Sequence, residues 1–165
     1  MFVTALASLC LFVQPQTALK DEMQKLNFLV GDWTSHEKVS PGATPQEFDL
    51  TGNCAPVMGG THLAIQESFE LPKGTVHHNF IILSFDKETA KYRAWWHTNS
   101  RPVPIQFSGV FEGLKFVLTS DSPALRITYF DITSDAYHAQ LEIQADGKWQ
   151  LRTDAFYKRK KSQGI

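Results

Sequence analysis

Histidine is the residue type in this sequence that most readily suggests metal chemistry. A zinc site needs three or four converging ligands. His77 and His78 are neighbours in a strand-like segment, so their side chains point to opposite faces and do not hold one ion. The chain has no His-x-His or His-x-x-x-His spacing and no visible haem-binding histidine motif near its C-terminus. We therefore expect neither a metal site nor a cofactor. The six histidines are His36, His62, His77, His78, His97 and His138.

A second set of side chains suggests the binding of a small organic molecule. An arginine held inside a fold can bind a carboxylate through two parallel hydrogen bonds. Twelve Phe, four Trp and four Tyr supply enough aromatic surface to fill a core and to line a cavity, although a fully packed interior is the alternative. The expected ligand-binding residues are Arg126 for an acidic head group, Tyr92, Trp96 and Tyr137 for the apolar body, and Gln106 as a polar contact.

Motifs for covalent catalysis are absent from the sequence. There is no Gly-x-Ser-x-Gly, and Met58-Gly59-Gly60 lacks a following helix, so it reads as a hairpin turn rather than a phosphate loop. An enzyme would have to use separate polar groups at the mouth of a cavity, such as His97, Arg93 or Glu67. Binding is therefore favoured over catalysis, and the enzyme remains an alternative.

The elements that must position these residues are mostly β-strands. Residues 19–29 have the apolar spacing of a short helix, and beyond Gly31 the apolar residues recur with a period of two. Ten short strands joined by turns form an antiparallel meander, and closing it into an up-and-down β-barrel removes its exposed edges. The predicted fold is thus an all-β barrel with a short N-terminal helix. The predicted strands span 32–39, 46–54, 61–70, 76–86, 91–98, 104–111, 114–119, 124–131, 136–144 and 149–158.

Two hairpins predict which side chains share a face. A four-residue loop after Asp86 pairs Phe85 with Tyr92 and Ile81 with Trp96, which gives one apolar face.

The last hairpin has a glycine that suits a three-residue loop over 145–147. That loop pairs Ile143 with Trp149 on the apolar side and His138 with Asp154 on the polar side.

The direction of Arg126 depends on the preceding hairpin. A two-residue turn at Ser134-Asp135 pairs Arg126 with Ile143 and points the guanidinium into the barrel. A three-residue turn instead places Leu125 and Tyr129 inside and leaves Arg126 in water. The sequence leaves both registers open.

Length and composition indicate one globular domain. The chain has 165 residues, 42% of them hydrophobic, with a formal net charge of −1 and a pI near 6.6. A nearly neutral chain lacks the basic footprint of a nucleic-acid-binding protein. It also lacks an apolar run of about 18 residues, so we expect no transmembrane segment. The oligomeric state is not predicted.

The first eighteen residues have the pattern of a secretory signal. Residues 1–18 carry no charge and are largely apolar, and the chain turns polar directly afterwards. We expect residues 1–18 to be a signal peptide, residues 19–165 to be one domain, and the mature protein to be secreted or periplasmic. Removing that segment leaves Cys54 as the one cysteine, which we expect to be a buried apolar side chain without a disulfide.

Gly31-Asp32-Trp33 follows the predicted helix and opens the first strand. A Gly-x-Trp at that place resembles the signature of lipocalins and fatty-acid-binding proteins, in which the tryptophan closes the barrel floor. Glycine permits the tight entry into the strand, and tryptophan fills a wide apolar end. By this resemblance Gly31 and Trp33 close the barrel.

Further segments extend the resemblance. With Met58-Gly59-Gly60-Thr61, the run from Lys91 to Trp96 and the stretch from Arg126 to Arg159, the chain resembles a bacterial secreted family called domain of unknown function 1579. This family is lipocalin-like and is grouped with the calycins, and the resemblance covers roughly residues 25–160. It implies a calycin-type barrel that binds a small molecule inside, and it brings no established activity. One departure is Ala139, where a second aromatic residue would be expected, and this implies more room in the interior.

The sequence as a whole predicts an exported protein that binds a small hydrophobic or amphipathic molecule inside a barrel. Two alternatives stay open: an enzyme with a polar site at the cavity mouth, and a filled barrel that binds other proteins through an outer apolar patch around Trp95.

Overall fold

The computed structural model describes residues 20–39, 46–71 and 74–161. The segment expected to be a signal peptide, residues 1–18, lies outside the described residues. The chain enters the fold through a 3₁₀ helix, Asp21–Leu29, which buries Met23, Leu26 and Leu29. Their spacing of three matches the three residues per turn of a 3₁₀ helix, so one apolar stripe faces the barrel. The predicted short helix is therefore present, as a 3₁₀ rather than an α-helix.

Ten antiparallel strands follow the helix, and the first strand pairs with both the second and the last. The sheet is thus a closed barrel, which confirms the predicted fold class. A 3₁₀ turn, Met58–Gly60, joins the second and third strands. The strands are β1 (Gly31–Val39), β2 (Gln46–Val57), β3 (His62–Leu71), β4 (Thr75–Asp86), β5 (Lys91–Thr98), β6 (Arg101–Glu112), β7 (Lys115–Asp121), β8 (Ala124–Phe130), β9 (Ala136–Ala145) and β10 (Lys148–Arg159).

The helix closes one end of the barrel, and Trp33 lies at the centre of that floor. Its side chain is 2% exposed, and its indole N–H donates a hydrogen bond of 2.7 Å to the Leu29 carbonyl. The Arg159 guanidinium covers the ring at 4.2 Å and donates to the Val30 carbonyl. Gly31 has φ +124°, and a Cβ there would collide with Arg159. Gly31 and Trp33 therefore sit where the resemblance implies.

The hairpin between β4 and β5 has the predicted register. Phe85 lies opposite Tyr92 and Ile81 opposite Trp96. Its apolar face points into the barrel, where Ile81 and Tyr92 are buried.

The predicted register of the β9–β10 hairpin is wrong because its loop has two residues, 146–147, instead of three. Trp149 therefore pairs with Gln144 and lies on the outer face instead of facing inward. A bulge in β10 between Leu151 and Thr153 then shifts the register by one further residue. His138 pairs with Phe156, so the expected pairing of His138 with Asp154 does not occur.

The hairpin between β8 and β9 adopts the register that leaves Arg126 outside. Arg126 lies opposite Glu142, and the inward positions go to Leu125 and its alternate neighbours. The turn is set by Thr133, whose hydroxyl accepts hydrogen bonds from the amides of Asp135 (3.3 Å) and Ala136 (2.9 Å). The Thr133 N–H also donates to the Ala136 carbonyl at 2.9 Å, which closes a two-residue turn at 134–135. One extra residue between Phe130 and this turn, where Asp131 has φ +51°, shifts the register by one and leaves Arg126 outside.

Candidate functional site

The barrel interior contains a cavity of about 410 Å³ in the half remote from the helix. Its walls come from β1–β5 and β8–β10, and they are largely apolar. Ala139 lies on this wall, where the small side chain leaves space free. The principal apolar lining residues are Phe48, Phe69, Ile81, Trp96, Ile127 and Leu141.

A polar cluster interrupts this apolar wall. Glu37 of β1, Glu67 of β3, Asn79 of β4 and Tyr157 of β10 all line the cavity. The Tyr157 hydroxyl lies 3.1 Å from Glu37 Oε1 and 3.2 Å from Glu67 Oε1. The Asn79 amide donates to Glu67 Oε2 at 3.2 Å. One phenol and one amide therefore connect two interior carboxyl groups.

Strand alternation brings these residues together. On β1, Trp33 faces inward, so Ser35 and Glu37 at successive alternate positions face inward as well. On β3 and β4, Glu67 and Asn79 lie directly opposite each other in the pairing. Side chains opposite each other in an antiparallel pair lie on the same face, which here is the interior.

The two carboxyl groups compete for the single hydrogen of the Tyr157 phenol. A phenol has one hydrogen, so Tyr157 donates to only one of its two carboxyl neighbours. The second contact becomes a hydrogen bond when the other carboxyl is protonated and donates to the phenol oxygen. Burial, with the charge of Glu67 as the next cause, raises the pKa of Glu37 from 4.5 to about 7. Burial likewise raises the pKa of Glu67, although hydrogen bonds from Asn79 and Tyr157 oppose that rise.

Two polar atoms on the cavity wall have no hydrogen-bond partner in the part of the chain that the structure describes. They are Oδ1 of Asn79 and Nε1 of Trp96. Asn79 is only 8% exposed, so water does not readily replace the missing partner. An unsatisfied buried polar atom costs roughly 1–3 kcal/mol. The unused acceptor and the unused donor both belong to residues that line the cavity.

The other titratable side chains on the cavity wall are Tyr129 and His77. Its Nε2 lies 3.2 Å from the Thr98 hydroxyl, and its ring packs 4.8 Å from that of Phe69. His78 lies on the outer surface, as strand alternation predicts. Among the described lining residues there is no lysine or arginine, so the charged groups facing the cavity are carboxyls.

Of the expected ligand-binding residues, Trp96 lines the cavity. Tyr92 is buried at the closed end, where its hydroxyl donates to the Glu22 carbonyl at 2.9 Å. Tyr137 lies below the cavity between the rings of Trp33 (4.9 Å) and Tyr157 (4.7 Å). These two tyrosines are part of the packed floor.

The inward placement of Arg126 and Gln106 is wrong. Arg126 lies on the outer face, donates to both Glu142 oxygens at 2.6 and 2.9 Å, and stacks 4.6 Å from the Trp149 ring. The extra residue between Phe130 and the turn at 134–135 is the reason for the outward Arg126. Gln106 is exposed because Ile105 and its alternate neighbour take the inner positions of β6.

The residues considered for an enzyme site are not brought together. Arg93 lies on the outer face and contacts Asp86 at 3.2 Å and Ser108 at 2.6 Å. His97 is exposed on the outside, whereas Glu67 is inside. Within residues 20–39, 46–71 and 74–161, no three histidine, cysteine or acidic side chains are arranged to hold a metal ion. In the same residues, no helix has the length and apolar character needed to cross a bilayer.

Glu37, Asn79 and Tyr157 were not singled out by the sequence, although a signal for two of them was present. Trp33 was expected to face inward, and a period of two from Trp33 reaches Glu37. The correctly predicted β4–β5 register likewise extends from Ile81 to Asn79. The polar contacts of the cavity are thus inner carboxyl and amide groups rather than an arginine.

The fold has relatives among solved structures. The Rv2717c protein of M. tuberculosis superimposes with a TM-score of 0.64 at 18% identity, covering 87% of this chain and 99% of that protein. The S-type phycobiliprotein lyase CPES of Guillardia theta superimposes with a TM-score of 0.57 at 16% identity, covering 83% of this chain and 91% of the lyase. At these identities the likeness concerns the barrel fold. No curated protein matches the chain.

A family model matches residues 19–159. The resemblance seen in the sequence covers roughly residues 25–160, so the two spans nearly coincide. The chain therefore belongs to the family described as "Protein of unknown function (DUF1579)".

Proposed function

We propose that this protein binds a small amphipathic molecule inside its barrel. The observation that carries the proposal is the cavity of about 410 Å³, which has apolar walls and a few polar groups gathered at one place. Pockets for small organic ligands have this composition: hydrophobic walls supply affinity, and a few polar groups fix orientation. Its volume falls within the usual range for such pockets, roughly 300–1,000 Å³.

The unsatisfied atoms support the same proposal. Asn79 Oδ1 and Trp96 Nε1 lack partners, and both lie on this cavity rather than elsewhere in the described chain. A ligand that hydrogen-bonds to either atom removes a desolvation penalty that the empty barrel carries.

The test is native mass spectrometry of the protein purified from its own host, followed by the same measurement after denaturation. A bound small molecule that leaves on denaturation supports the proposal and gives the ligand's mass. The variant Ala139→Phe places a large ring in the cavity and should abolish that mass shift. Its matched control is Ala64→Phe, which adds the same ring on the outer face of β3 opposite Ile82. Equal ligand occupancy in the two variants would contradict binding in the cavity.

We also propose that the protein acts after export, in the periplasm or outside the cell. The uncharged apolar segment 1–18 supports this, and the family match begins directly after it, at residue 19. The test is expression of the full chain in a Gram-negative host, with fractionation and intact-mass measurement. Cleavage after residue 18 and recovery outside the cytoplasm are expected, and an intact cytoplasmic chain would refute export.

A further inference from the structure

We propose that the polar end of the cavity binds a protonated primary amine whose apolar body lies along the aromatic wall. This inference rests on the proposed ligand-binding function and specifies the head group of the ligand. It replaces the acidic head group that an inward Arg126 would have bound.

The first support is the sign of the charge. Glu37 and Glu67 face the cavity, and the described lining residues include no lysine or arginine. A ligand carboxylate would bring a further negative charge to two half-buried or buried carboxyl groups with no cation to offset it. An ammonium group brings the opposite charge to the same place.

The second support is the count of donors and acceptors. An ammonium of the lysine type has three N–H donors and no acceptor. The cluster presents three acceptors: the carboxyl groups of Glu37 and Glu67, and Oδ1 of Asn79, which has no partner in the described structure. An alcohol has a single donor and leaves most of this set unused. The amine is therefore the simple head group that matches both charge and hydrogen bonding.

The orphaned amide oxygen distinguishes a site from a mere acidic cluster. Asn79 is buried, and its amide nitrogen is already used on Glu67 at 3.2 Å. That bond fixes the orientation of the amide and leaves its oxygen without a partner, in a residue that lines the cavity. Trp96 Nε1 is the second unused atom, and an oxygen or nitrogen acceptor on the body of the ligand would accept from it.

The test compares octylamine, octanoate and 1-octanol by isothermal titration at pH 8. The three probes share an eight-carbon body and differ in head group, and an alkylamine remains protonated at this pH because ammonium groups of the lysine type have pKa values near ~10.4. We expect octylamine to bind at least about tenfold more tightly than octanol, because charge-assisted hydrogen bonds are roughly twice as strong as neutral ones. Octanoate should bind more weakly than octanol.

Substitutions identify the residues that cause the preference for octylamine. Glu37→Gln combined with Glu67→Gln should reduce octylamine to the affinity of octanol and leave octanol unchanged. Asn79→Ala should weaken octylamine selectively, and Glu88→Gln, on an exposed turn, should change nothing. The comparison of probes on the unaltered protein does not depend on how well any variant folds.

The outcomes separate the two proposals. If octanol and octylamine bind equally, or octanoate binds best, the amine proposal is overturned and cavity binding stands. If none of the three probes binds, cavity binding of an amphipathic molecule is itself refuted. Retained preference for octylamine in the double glutamine variant also overturns the amine proposal.

Discussion

Glu37→Gln should remove most of a pH dependence of stability that the interior carboxyl pair creates. Glu37 is 9% exposed and lies on the cavity wall. The groups that face this pair are Tyr157 from β10, Tyr129 from β8 and His77 and Asn79 from β4. Because burial and the charge of Glu67 disfavour ionisation, the pKa of Glu37 rises from 4.5 to about 7 on folding.

The sign and the size of this pH dependence of stability follow from the linkage between protonation and folding. A carboxyl whose pKa is raised by folding binds its proton more tightly in the native state, so it stabilises the protein below pH 4.5. That stabilisation is lost as the pH rises through about 7. With 1.36 kcal/mol per pKa unit, the full effect is about 3 kcal/mol, of which about 2.5 kcal/mol falls between pH 5 and pH 8. A glutamine keeps the shape and the hydrogen-bonding oxygen but cannot ionise.

The assay is urea unfolding followed by tryptophan fluorescence at unit steps from pH 5 to pH 8. Relative to the unaltered protein, Glu37→Gln should gain about 2 kcal/mol more stability at pH 8 than at pH 5. Glu88→Gln, the exposed control, should show no such difference. The measured quantity is the difference in unfolding free energy between the variant and the unaltered protein. If this difference changes by less than about 0.5 kcal/mol across the pH range, the claim that folding raises the pKa of Glu37 is refuted.

Four further substitutions test three other parts of the structure, each by urea unfolding. Arg126→Ala and Glu142→Ala should show a coupling of only about 0.5–1 kcal/mol in a double-mutant cycle, since the pair is partly solvated. A change in octylamine affinity in Arg126→Ala would instead place the arginine in the binding site. Arg159→Ala should cost about 2–4 kcal/mol, because it removes a cation over the floor tryptophan and donors to backbone carbonyls; a cost below about 1 kcal/mol would mean that the floor stands without it. Gly109→Ala should cost about 1–3 kcal/mol, because its Cβ would overlap the Leu118 side chain; unchanged stability would show that the barrel wall yields there.

Strand positions could be predicted well from the sequence because alternation and turn chemistry are local. All ten strands lie within a few residues of their predicted spans, and the β4–β5 register follows from the four-residue loop after Asp86. The side chain of Asp86 accepts hydrogen bonds from Glu88 and Thr89 in that loop, so the turn is fixed by residues visible in the sequence.

Registers failed where a single residue changes the face of a strand. In the last hairpin a two-residue loop at 146–147 and the bulge between Leu151 and Thr153 turn Trp149 outward, whereas a three-residue loop with uninterrupted alternation places it inward. Before β9, one extra residue between Phe130 and the turn capped by Thr133 shifts the pairing, and this shift decides the direction of Arg126. In both hairpins the alternative registers differ by one residue, and the hydrophobic pattern is compatible with either register.

The candidate site was missed because it breaks the pattern on which the strand prediction relies. Inner barrel positions are expected to be apolar, and Glu37, Glu67 and Asn79 occupy inner positions. Their contacts come from four strands far apart in the sequence, so the shared environment of the two carboxyls appears only once the barrel is closed.

The energetics of this cluster argue that it is more than part of the packing. Replacing buried ionic or polar groups by apolar side chains of similar size is often neutral or stabilising. Asn79 keeps an unpaired oxygen, and Glu37 ionises only at a cost in stability near neutral pH. The closed end of the same barrel shows the contrasting solution, since Trp33 and Tyr92 each satisfy their polar atom on a backbone carbonyl. The barrel therefore completes its hydrogen bonds where it is packed and leaves them incomplete where it is hollow, as a binding site for a hydrogen-bonding ligand requires.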